Sequence, residues 1–197
     1  MLKRCFDFLA AVFGLLVLSP VFIVVALWIR ADSPGPIFFR QERVGRFGET
    51  FRIHKFRTMR VDAERAGLQI TVGQDNRITK SGEFLRHYKL DELPQLIDVL
   101  VGSMSLVGPR PEVPRYVAVY PEDVRKIVLS VRPGITDLAS IEYRHENALL
   151  GASSNPEKTY IEEVMPAKLA LNCQYVKTQS LWLDIRLILK TLQAILH

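Results

Sequence analysis

The feature that most constrains this chain is an apolar run near its N-terminus. From Cys5 to Ile29 the only charged residue is Asp7. The run is longer than the roughly 20 residues that a helix needs to span a bilayer. It also exceeds the apolar core of a signal peptide, about 7–15 residues, and no Ala-x-Ala-like cleavage site follows it. The pattern therefore predicts a helix that is inserted in a membrane.

Two features favour a helix that turns back inside the membrane. Ser19 and Pro20 lie at the centre of the run, where proline removes a backbone hydrogen bond and a serine hydroxyl can bend the same turn. Basic residues, which favour the cytoplasmic side, flank both ends of the run. They are Lys3 and Arg4 before it, and Arg30, Arg40, Arg43 and Arg46 after it. We therefore expect a re-entrant helix over residues 1–30, broken at Ser19–Pro20, with both chain termini cytoplasmic. The alternative is a kinked ordinary span, because membrane helices tolerate proline.

The remaining sequence, residues 31–197, suits one cytoplasmic domain that is mainly α with a small β-hairpin (α+β). Two short strands around a glycine turn predict the hairpin over about residues 36–58. A helix is expected from about Asp91, because Pro94 is tolerated only in a first helical turn. The sequence thus predicts a small, mostly helical domain attached to a membrane helix.

Toward the C-terminus the pattern predicts more helices. Residues 61–81 are polar and predict loops and helix fragments, and residues 145–157 predict an exposed linker. Helices are expected over about 158–176 and 180–196. The last one is amphipathic, so it either packs half-buried in the core, the favoured interpretation, or lies on a membrane surface or a second subunit. Its narrow polar stripe consists of Arg186, Lys190, Gln193 and His197.

Composition excludes several common classes of protein. The net charge of +5 favours anionic partners in general, such as phosphates, nucleotides or acidic lipids. Nucleic acid is not expected as a partner, because no basic stripe is interleaved with aromatic residues. Cys5 and Cys173 lack the spacing of a metal site and fit buried thiols in a reducing compartment. The sequence contains no Walker A loop, GxGxxG or GxSxG motif.

An adjacent pair of carboxylates, Asp91 and Glu92, is the main candidate for chemistry. At the start of a helix, free backbone N–H groups and the helix dipole stabilise negative charge, which suits Asp91 as an ionised nucleophile. Glu92 could hold a divalent cation, since Mg²⁺ uses one or two carboxylates together with substrate phosphates. Taken alone, such a pair is more often a stabilising helix start.

Several basic residues support a phosphate-binding site near this pair. Arginine recognises phosphate in a planar, bidentate manner, and a neighbouring proline limits the entropy lost on binding. Cations beside an acidic pair indicate a phosphate-rich substrate with a metal, the combination that phosphoryl transfer requires. The candidates are Lys55 and Arg57 on the second strand of the hairpin, Arg86 five positions before Asp91, and Arg110 and Arg132 in the loops GPRP and VRPG.

In this order, the motifs resemble the bacterial sugar transferases, also called monotopic phosphoglycosyl transferases. The resemblance covers nearly the whole chain. It rests on the stretches KRCFDFLAAVFGLLVLSPVFIVVALWIR, GPIFFRQERVGRFGETFRIHKFRTM, LRHYKLDELPQLIDVLVGSMSLVGPRPE and VRPGIT. It implies transfer of a sugar-1-phosphate from a UDP-sugar to polyprenyl (undecaprenyl) phosphate, giving a polyprenyl-diphosphate-sugar and UMP, the first membrane step in making a surface glycan or glycoprotein.

The resemblance also implies roles for individual residues. Asp91 would attack the sugar-bearing phosphate and carry a covalent phosphosugar, and Glu92 would be associated with Mg²⁺, with Mn²⁺ as an alternative. Ser19–Pro20 would be the break of a re-entrant membrane helix. The implied phosphate binders are Lys55, Arg57, Arg86 and Arg110.

Partners and location follow from the same resemblance. It implies a UDP-sugar, polyprenyl phosphate and membrane lipid as partners, at the cytoplasmic face of the bacterial inner membrane. A homodimer or downstream glycosyltransferases stay open as further partners. The chain departs from the family pattern over residues 137–158 and at Asn172, where members often carry Asp, so the sugar is not identified.

Two other functions are compatible with the residues alone. A metal-dependent phosphatase or pyrophosphatase would use the same groups to give the phosphoryl group to water. A non-catalytic membrane anchor would recruit glycan enzymes and use the basic residues only for binding.

Overall fold

The computed structural model describes residues 2–61 and 75–196, which are mostly helical with a few short strands. Residues 62–74, part of the span predicted as loops and helix fragments, lie outside the described residues. The helices are α1 Leu2–Asp32, α2 Lys80–His87, α3 Gln95–Val101, α4 Pro114–Val117, α5 Glu122–Val128, α6 Leu138–Glu142, α7 Glu146–Gly151, α8 Pro156–Thr159, α9 Met165–Thr178 and α10 Leu181–Leu196. The strands are β1 Phe38–Phe39, β2 Glu42–Val44, β3 Thr50–Arg52, β4 Lys55–Phe56, β5 Ser105–Val107 and β6 Gly134–Thr136.

The whole apolar run forms one helix, α1. Helical structure continues through Ser19 and Pro20, and the Ser19 hydroxyl donates a hydrogen bond to the carbonyl of Leu16 at 2.8 Å. This hydroxyl contact is the kind of back-bond that bends a helix without ending it. The helix is therefore uninterrupted where the sequence predicts a break, and its re-entrant path stays a prediction. By length and composition, α1 is long and apolar enough to cross a membrane.

The first turns of α1 are fixed to the rest of the domain by charged side chains. The Lys3 ammonium donates to the carboxylate of Asp184 on α10 at 2.6 Å. The Arg4 guanidinium donates to the carbonyls of Val99 and Leu100 at 2.6 and 3.0 Å. These carbonyls belong to the last turn of α3, whose C=O groups have no partner within the helix. The start of α1 is thus bonded to both α3 and α10.

The other end of α1 is fixed to the same domain. The Asp32 carboxylate accepts hydrogen bonds from the backbone and hydroxyl of Ser81, at the start of α2. Between its ends, one face of α1 is buried, with Ala11 and Ile29 almost fully enclosed. The opposite face exposes large apolar side chains: Leu9, Phe13, Leu16, Val17, Ile23, Val24 and Leu27. Helix α1 therefore lies along the domain with both ends attached and an apolar face uncovered.

The predicted hairpin is confirmed. Strands β1 and β4 pair antiparallel, with Phe38 opposite Phe56, and β2 pairs antiparallel with β3, with Val44 opposite Thr50. A short 3₁₀ turn, Arg46–Gly48, forms the tip. The hairpin carries Lys55 to the part of the domain that contains Asp91.

A parallel pair of strands, β5 and β6, was not predicted. Ser105 lies opposite Gly134. Gly108, the residue after β5, also lies against Gly134. The two backbones are so close that a Cβ added to Gly134 would lie 2.1 Å from the Gly108 nitrogen. Glycine is required where two backbones come this close. The close approach fixes the start of the loop that carries Arg110.

The predicted linker over residues 145–157 is wrong. It contains α7 and the start of α8, and Leu150 in α7 is buried in the core. The Lys168 ammonium donates to the Glu146 carboxylate at 2.7 Å, which joins α7 to α9. The Asn155 side chain accepts from the Lys158 N–H and caps α8. Asn155, one of the polar residues that suggested a linker, is in fact a helix cap.

The two C-terminal helices are confirmed. A short π-helical segment, Tyr160–Val164, leads into α9, and α10 follows. Helix α10 is half-buried, with Asp184 and Leu187 enclosed, whereas Trp182 is 78% exposed. One face of α10 therefore packs in the core, as the favoured interpretation holds, while its outer face remains apolar.

Candidate active site

The carboxylate pair lies in a tight turn just before α3. Asp91 and Glu92 belong to the 3₁₀ turn Leu90–Glu92, and α3 begins only at Gln95, with Pro94 at its N-cap position. The predicted helix start near Asp91 is therefore wrong by one turn. Proline has no N–H to bond the carbonyl four residues back, so the turn closes instead with the shorter bond from Leu93 N–H to Leu90 C=O.

Glu92 is enclosed by two cations. The Lys55 ammonium donates to Oε1 of Glu92 at 2.7 Å. The Arg110 guanidinium donates through Nη1 to Oε2 at 3.0 Å and through Nη2 to Oε1. Burial alone would raise the pKa of Glu92, but the charges of Arg110 and Lys55 hold it well below the ordinary glutamate value. Glu92 is therefore ionised, and both of its oxygens are occupied by cations of the protein.

Asp91 has a different environment. Asp91 is only 7% exposed. Burial raises the pKa of its carboxyl group, and the positive charge of Lys55 opposes this shift without cancelling it. The Arg86 guanidinium also acts on it electrostatically, while burial lowers the pKa of Arg86 itself. Two adjacent carboxylates thus have pKa values shifted in opposite directions, which is typical of groups with separate chemical roles.

The loop that presents Arg110 is held at several points. The Arg110 backbone N–H donates to the carboxylate of Asp137, which also caps α6. The Arg43 guanidinium donates to the carbonyl of Pro111 at 3.0 Å, and the Tyr160 hydroxyl donates to Glu112. These contacts fix the backbone on both sides of Arg110. Sequence reasoning missed Asp137, Glu112 and Tyr160, and it used Arg43 only as a flanking charge.

A second buried carboxylate, Asp98, lies in α3, seven residues after Asp91. Asp98 accepts from the backbone N–H of His54 at 2.8 Å and contacts the His54 ring nitrogen Nδ1 at 2.7 Å. His54 directly precedes Lys55, so this contact attaches the hairpin to α3 next to the Lys55–Glu92 ion pair.

Of the five predicted phosphate binders, the structure brings Lys55, Arg86 and Arg110 to the carboxylate pair. Arg57 and Arg132 belong to other networks. The Arg57 guanidinium, in a residue only 4% exposed, donates to Ser33 and to the carbonyl of Pro36, which joins the hairpin to the end of α1. Arg132 donates to the carbonyl of Gly102 at 2.7 Å. For these two arginines a phosphate-binding role stays a prediction, and in the structure they bond to oxygen atoms of Ser33, Pro36 and Gly102.

The donor set for a metal is small. Among residues 2–61 and 75–196, no group of three or more His, Cys, Asp and Glu side chains is arranged to hold a metal ion. Mg²⁺ does not need such a cage, because it is commonly held by one or two carboxylates and the phosphates of a substrate. The pair Asp91 and Glu92 therefore fits Mg²⁺ only when phosphate oxygens complete the site.

Comparisons with known proteins show which family the chain belongs to. The model of the family described as bacterial sugar transferase matches residues 1–197. Over 197 residues the chain is 37% identical to a UDP-N-acetylgalactosamine-undecaprenyl-phosphate N-acetylgalactosaminephosphotransferase of Aeromonas hydrophila, covering 99% of this chain and 44% of the relative. It is 37% identical over 193 residues to a UDP-glucose:undecaprenyl-phosphate glucose-1-phosphate transferase of Escherichia coli K12, covering 97% of this chain and 39% of that protein.

A relative of similar length also matches. The exopolysaccharide production protein PSS of Rhizobium leguminosarum bv. phaseoli is 38% identical over 198 residues, which cover 96% of this chain and 92% of that protein. In contrast, the chain spans less than half the length of the two transferases named above. The shared region includes the hairpin, the carboxylate pair and the Arg110 loop.

Proposed function

Because this chain belongs to the bacterial sugar transferase family, we propose that it transfers a sugar-1-phosphate from a UDP-sugar to undecaprenyl phosphate and releases UMP. One structural observation carries the proposal: a buried carboxylate, Asp91, lies beside a carboxylate, Glu92, that is held by two cations. In the proposal, Asp91 is the nucleophile, Glu92 the metal-binding group, and Lys55 and Arg110 the phosphate-binding cations. This is the set of groups that phosphoryl transfer needs.

The proposed reaction has two displacements at the same phosphorus. In the first, a carboxylate oxygen of Asp91 attacks the phosphorus that bears the sugar, and the bond from that phosphorus to the oxygen of UMP breaks. The phosphosugar is then carried on Asp91. In the second, an oxygen of undecaprenyl phosphate attacks that phosphorus, the bond to Asp91 breaks, and the carboxylate is regenerated.

The cations of the site have a role in both displacements. Without substrate, Lys55 and Arg110 are paired with Glu92. The diphosphate of a UDP-sugar competes for the same cations, since both recognise phosphate oxygens well. Their transfer to the substrate would leave the Glu92 oxygens free to hold Mg²⁺ or Mn²⁺ together with the diphosphate. The metal would supply neutralisation of the charge that develops on the phosphates.

The first test is a direct assay of the reaction. Purified full-length protein in lipid nanodiscs is incubated with Mg²⁺ and a panel of UDP-sugars, and released UMP and intact protein mass are measured. We expect UMP together with a protein adduct equal in mass to one sugar phosphate, and we expect EDTA to abolish both. Addition of undecaprenyl phosphate should remove the adduct.

Two results would contradict the proposal. Release of inorganic phosphate without undecaprenyl phosphate would indicate a phosphatase or pyrophosphatase. No turnover with any UDP-sugar would favour a non-catalytic membrane anchor.

We also propose that α1 is re-entrant and holds the domain at the cytoplasmic face of the inner membrane. Support comes from the contacts at its two ends, Lys3 with Asp184 and Asp32 with Ser81. Both ends are bonded to one domain, and a domain cannot lie on both sides of a bilayer. The uncovered apolar face of α1 suits contact with lipid chains.

Cysteine labelling tests this topology. In a background with Cys5→Ser and Cys173→Ser, Leu2→Cys and Ala31→Cys place single thiols at the two ends of α1. A membrane-impermeant maleimide should label neither position in intact spheroplasts and both after permeabilisation. Labelling of one position alone in intact cells would show that α1 crosses the membrane, and the thiol-free background controls for other reactions.

A further inference from the structure

One buried polar side chain near the carboxylate pair has no partner. Gln95 is 1% exposed, and neither its side-chain nitrogen Nε2 nor its oxygen Oε1 has a hydrogen-bond partner within the part of the chain that the structure describes. Buried amides are almost always hydrogen-bonded, because removing one from water without a new partner destabilises the fold. A side chain in this state needs an explanation.

Gln95 lies on the same side of its segment as Asp91. The two residues between Glu92 and Gln95, Leu93 and Pro94, both have right-handed helical backbone angles. Residues four apart in such a segment lie on one face, a turn from each other. Both Asp91 and Gln95 are buried, so Gln95 follows Asp91 into the interior.

Two other polar side chains on this segment, Glu92 and Asp98, have partners. Glu92 pairs with Lys55, and Asp98 pairs with His54, the preceding residue of the hairpin. Gln95 therefore lies between two contacts that attach the hairpin to this segment. Glu92 before it and Asp98 after it have partners, whereas both polar atoms of the Gln95 side chain have none among the described residues.

We propose that the Gln95 side-chain amide binds the phosphosugar during its transfer. Nε2 would donate to an oxygen of the phosphoryl group, and Oε1 would accept from a hydroxyl of the sugar. A phosphosugar supplies both kinds of partner, and Asp91 would bring it within one turn of Gln95. The inference rests on the proposed function, since it concerns the group that Asp91 is proposed to carry.

Access to Gln95 follows from the same exchange of ion pairs. Lys55 on the hairpin and Arg110 on its loop both hold Glu92, so they join the hairpin and the loop to the turn of the carboxylate pair. When substrate phosphates take over these two cations, the contacts between the hairpin, the loop and the turn are released. A phosphosugar on Asp91 could then reach the amide that is enclosed without substrate.

This role predicts that stability and activity change in opposite directions on substitution. Gln95→Met keeps a similar length but removes the amide. Because an unsatisfied buried group is lost, we expect the Tm of the ligand-free protein to rise by about 2–8 °C. Because a hydrogen bond to a charged phosphoryl group is lost, we expect the rate of adduct formation with the UDP-sugar to fall about 10- to 100-fold.

Asn172 offers a matched control. Its side-chain oxygen is also buried without a partner among the described residues, but it lies on α9, which packs mainly against α5 and α6. Asn172→Leu should also raise the Tm but leave the rate of adduct formation unchanged. The comparison separates relief of an unsatisfied group from loss of a contact with substrate.

The outcomes distinguish this inference from the proposed function. If wild-type protein forms an adduct and Gln95→Met forms it at the same rate, the role of Gln95 is overturned while the proposed function stands. A lower Tm for ligand-free Gln95→Met would also overturn the role, because the amide would then have a structural partner. If wild-type protein forms no adduct with any UDP-sugar, the proposed function itself fails.

Discussion

Asp91→Asn is expected to abolish the phosphosugar adduct and to lower UMP release by about 10⁴-fold or more. An amide has nearly the same shape as the carboxylate, but it cannot attack phosphorus as an anion. The loss should appear in single-turnover UMP release and in the intact mass of the protein after exposure to the UDP-sugar.

The fold should survive this substitution. Burial raises the pKa of Asp91, which means that the enclosed site disfavours its negative charge. A neutral amide removes that unfavourable charge, so we expect the Tm of Asp91→Asn to be equal to that of wild-type protein or higher. Loss of activity with a preserved Tm would separate a chemical defect from a folding defect.

Asp98→Asn is a matched control for the same chemical change. Asp98 is also buried on this segment, but its oxygens bond to His54. We expect this variant to have a lower Tm and still to form the adduct. An adduct of unchanged yield in Asp91→Asn would contradict the assignment of Asp91 as the nucleophile.

Glu92→Gln is the second substitution with a large expected effect. It leaves Lys55 and Arg110 without the carboxylate that neutralises them. Removing one partner of an enclosed ion pair is strongly destabilising, and for side chains that keep some exposure we expect a loss of about 3 kcal/mol, or about 6–12 °C in Tm. Loss of the proposed metal-binding group should also lower the rate of UMP release about 10²- to 10³-fold.

The double variant Lys55→Met with Glu92→Gln separates the two effects. Removal of one of the two uncompensated cations should recover part of the lost Tm, but it should not restore UMP release. Thermal unfolding and single-turnover kinetics of the single and double variants form the required cycle. An unchanged Tm in Glu92→Gln would show that the cluster does not stabilise the fold.

The difference in Tm between wild-type protein and Glu92→Gln should depend on pH. The pKa of Glu92 is held well below its ordinary value, so its contribution is fully present at pH values above that ordinary value. The contribution is lost as the pH falls through the lowered pKa. The difference in Tm between wild-type protein and Glu92→Gln should therefore shrink toward low pH.

Local patterns were sufficient to predict the elements whose signal lies within one stretch of sequence. Helix α1, the hairpin and helices α9 and α10 each have a continuous pattern of apolar residues, and the structure confirms these elements. The approach of Lys55, Arg86 and Arg110 to the carboxylate pair was also predicted. It was made from residue type and from position in the sequence, and the resemblance implied the same three residues together with Arg57.

Elements that depend on contacts between distant parts of the chain could not be predicted from local sequence patterns. Strands β5 and β6 have three residues each and pair only because Gly108 and Gly134 let their backbones approach. Arg57 and Arg132 have the residue type of phosphate binders, but carbonyl groups from distant parts of the chain occupy them. The missing partner of Gln95 is visible only when every neighbour has been placed.

The bond from Arg4 to the end of α3 has a consequence for the way in which the two substrates meet. Helix α3 has seven residues, about 10 Å in length, with Arg4 at its last turn and the Asp91 turn just before its start. With α1 in the bilayer as proposed, helix α3 would fix the depth of Asp91 relative to the lipid surface. The phosphate of undecaprenyl phosphate, the proposed acceptor, would lie in the headgroup layer. Asp91, the proposed nucleophile, would then be held at a constant depth and would search for it in two dimensions rather than three.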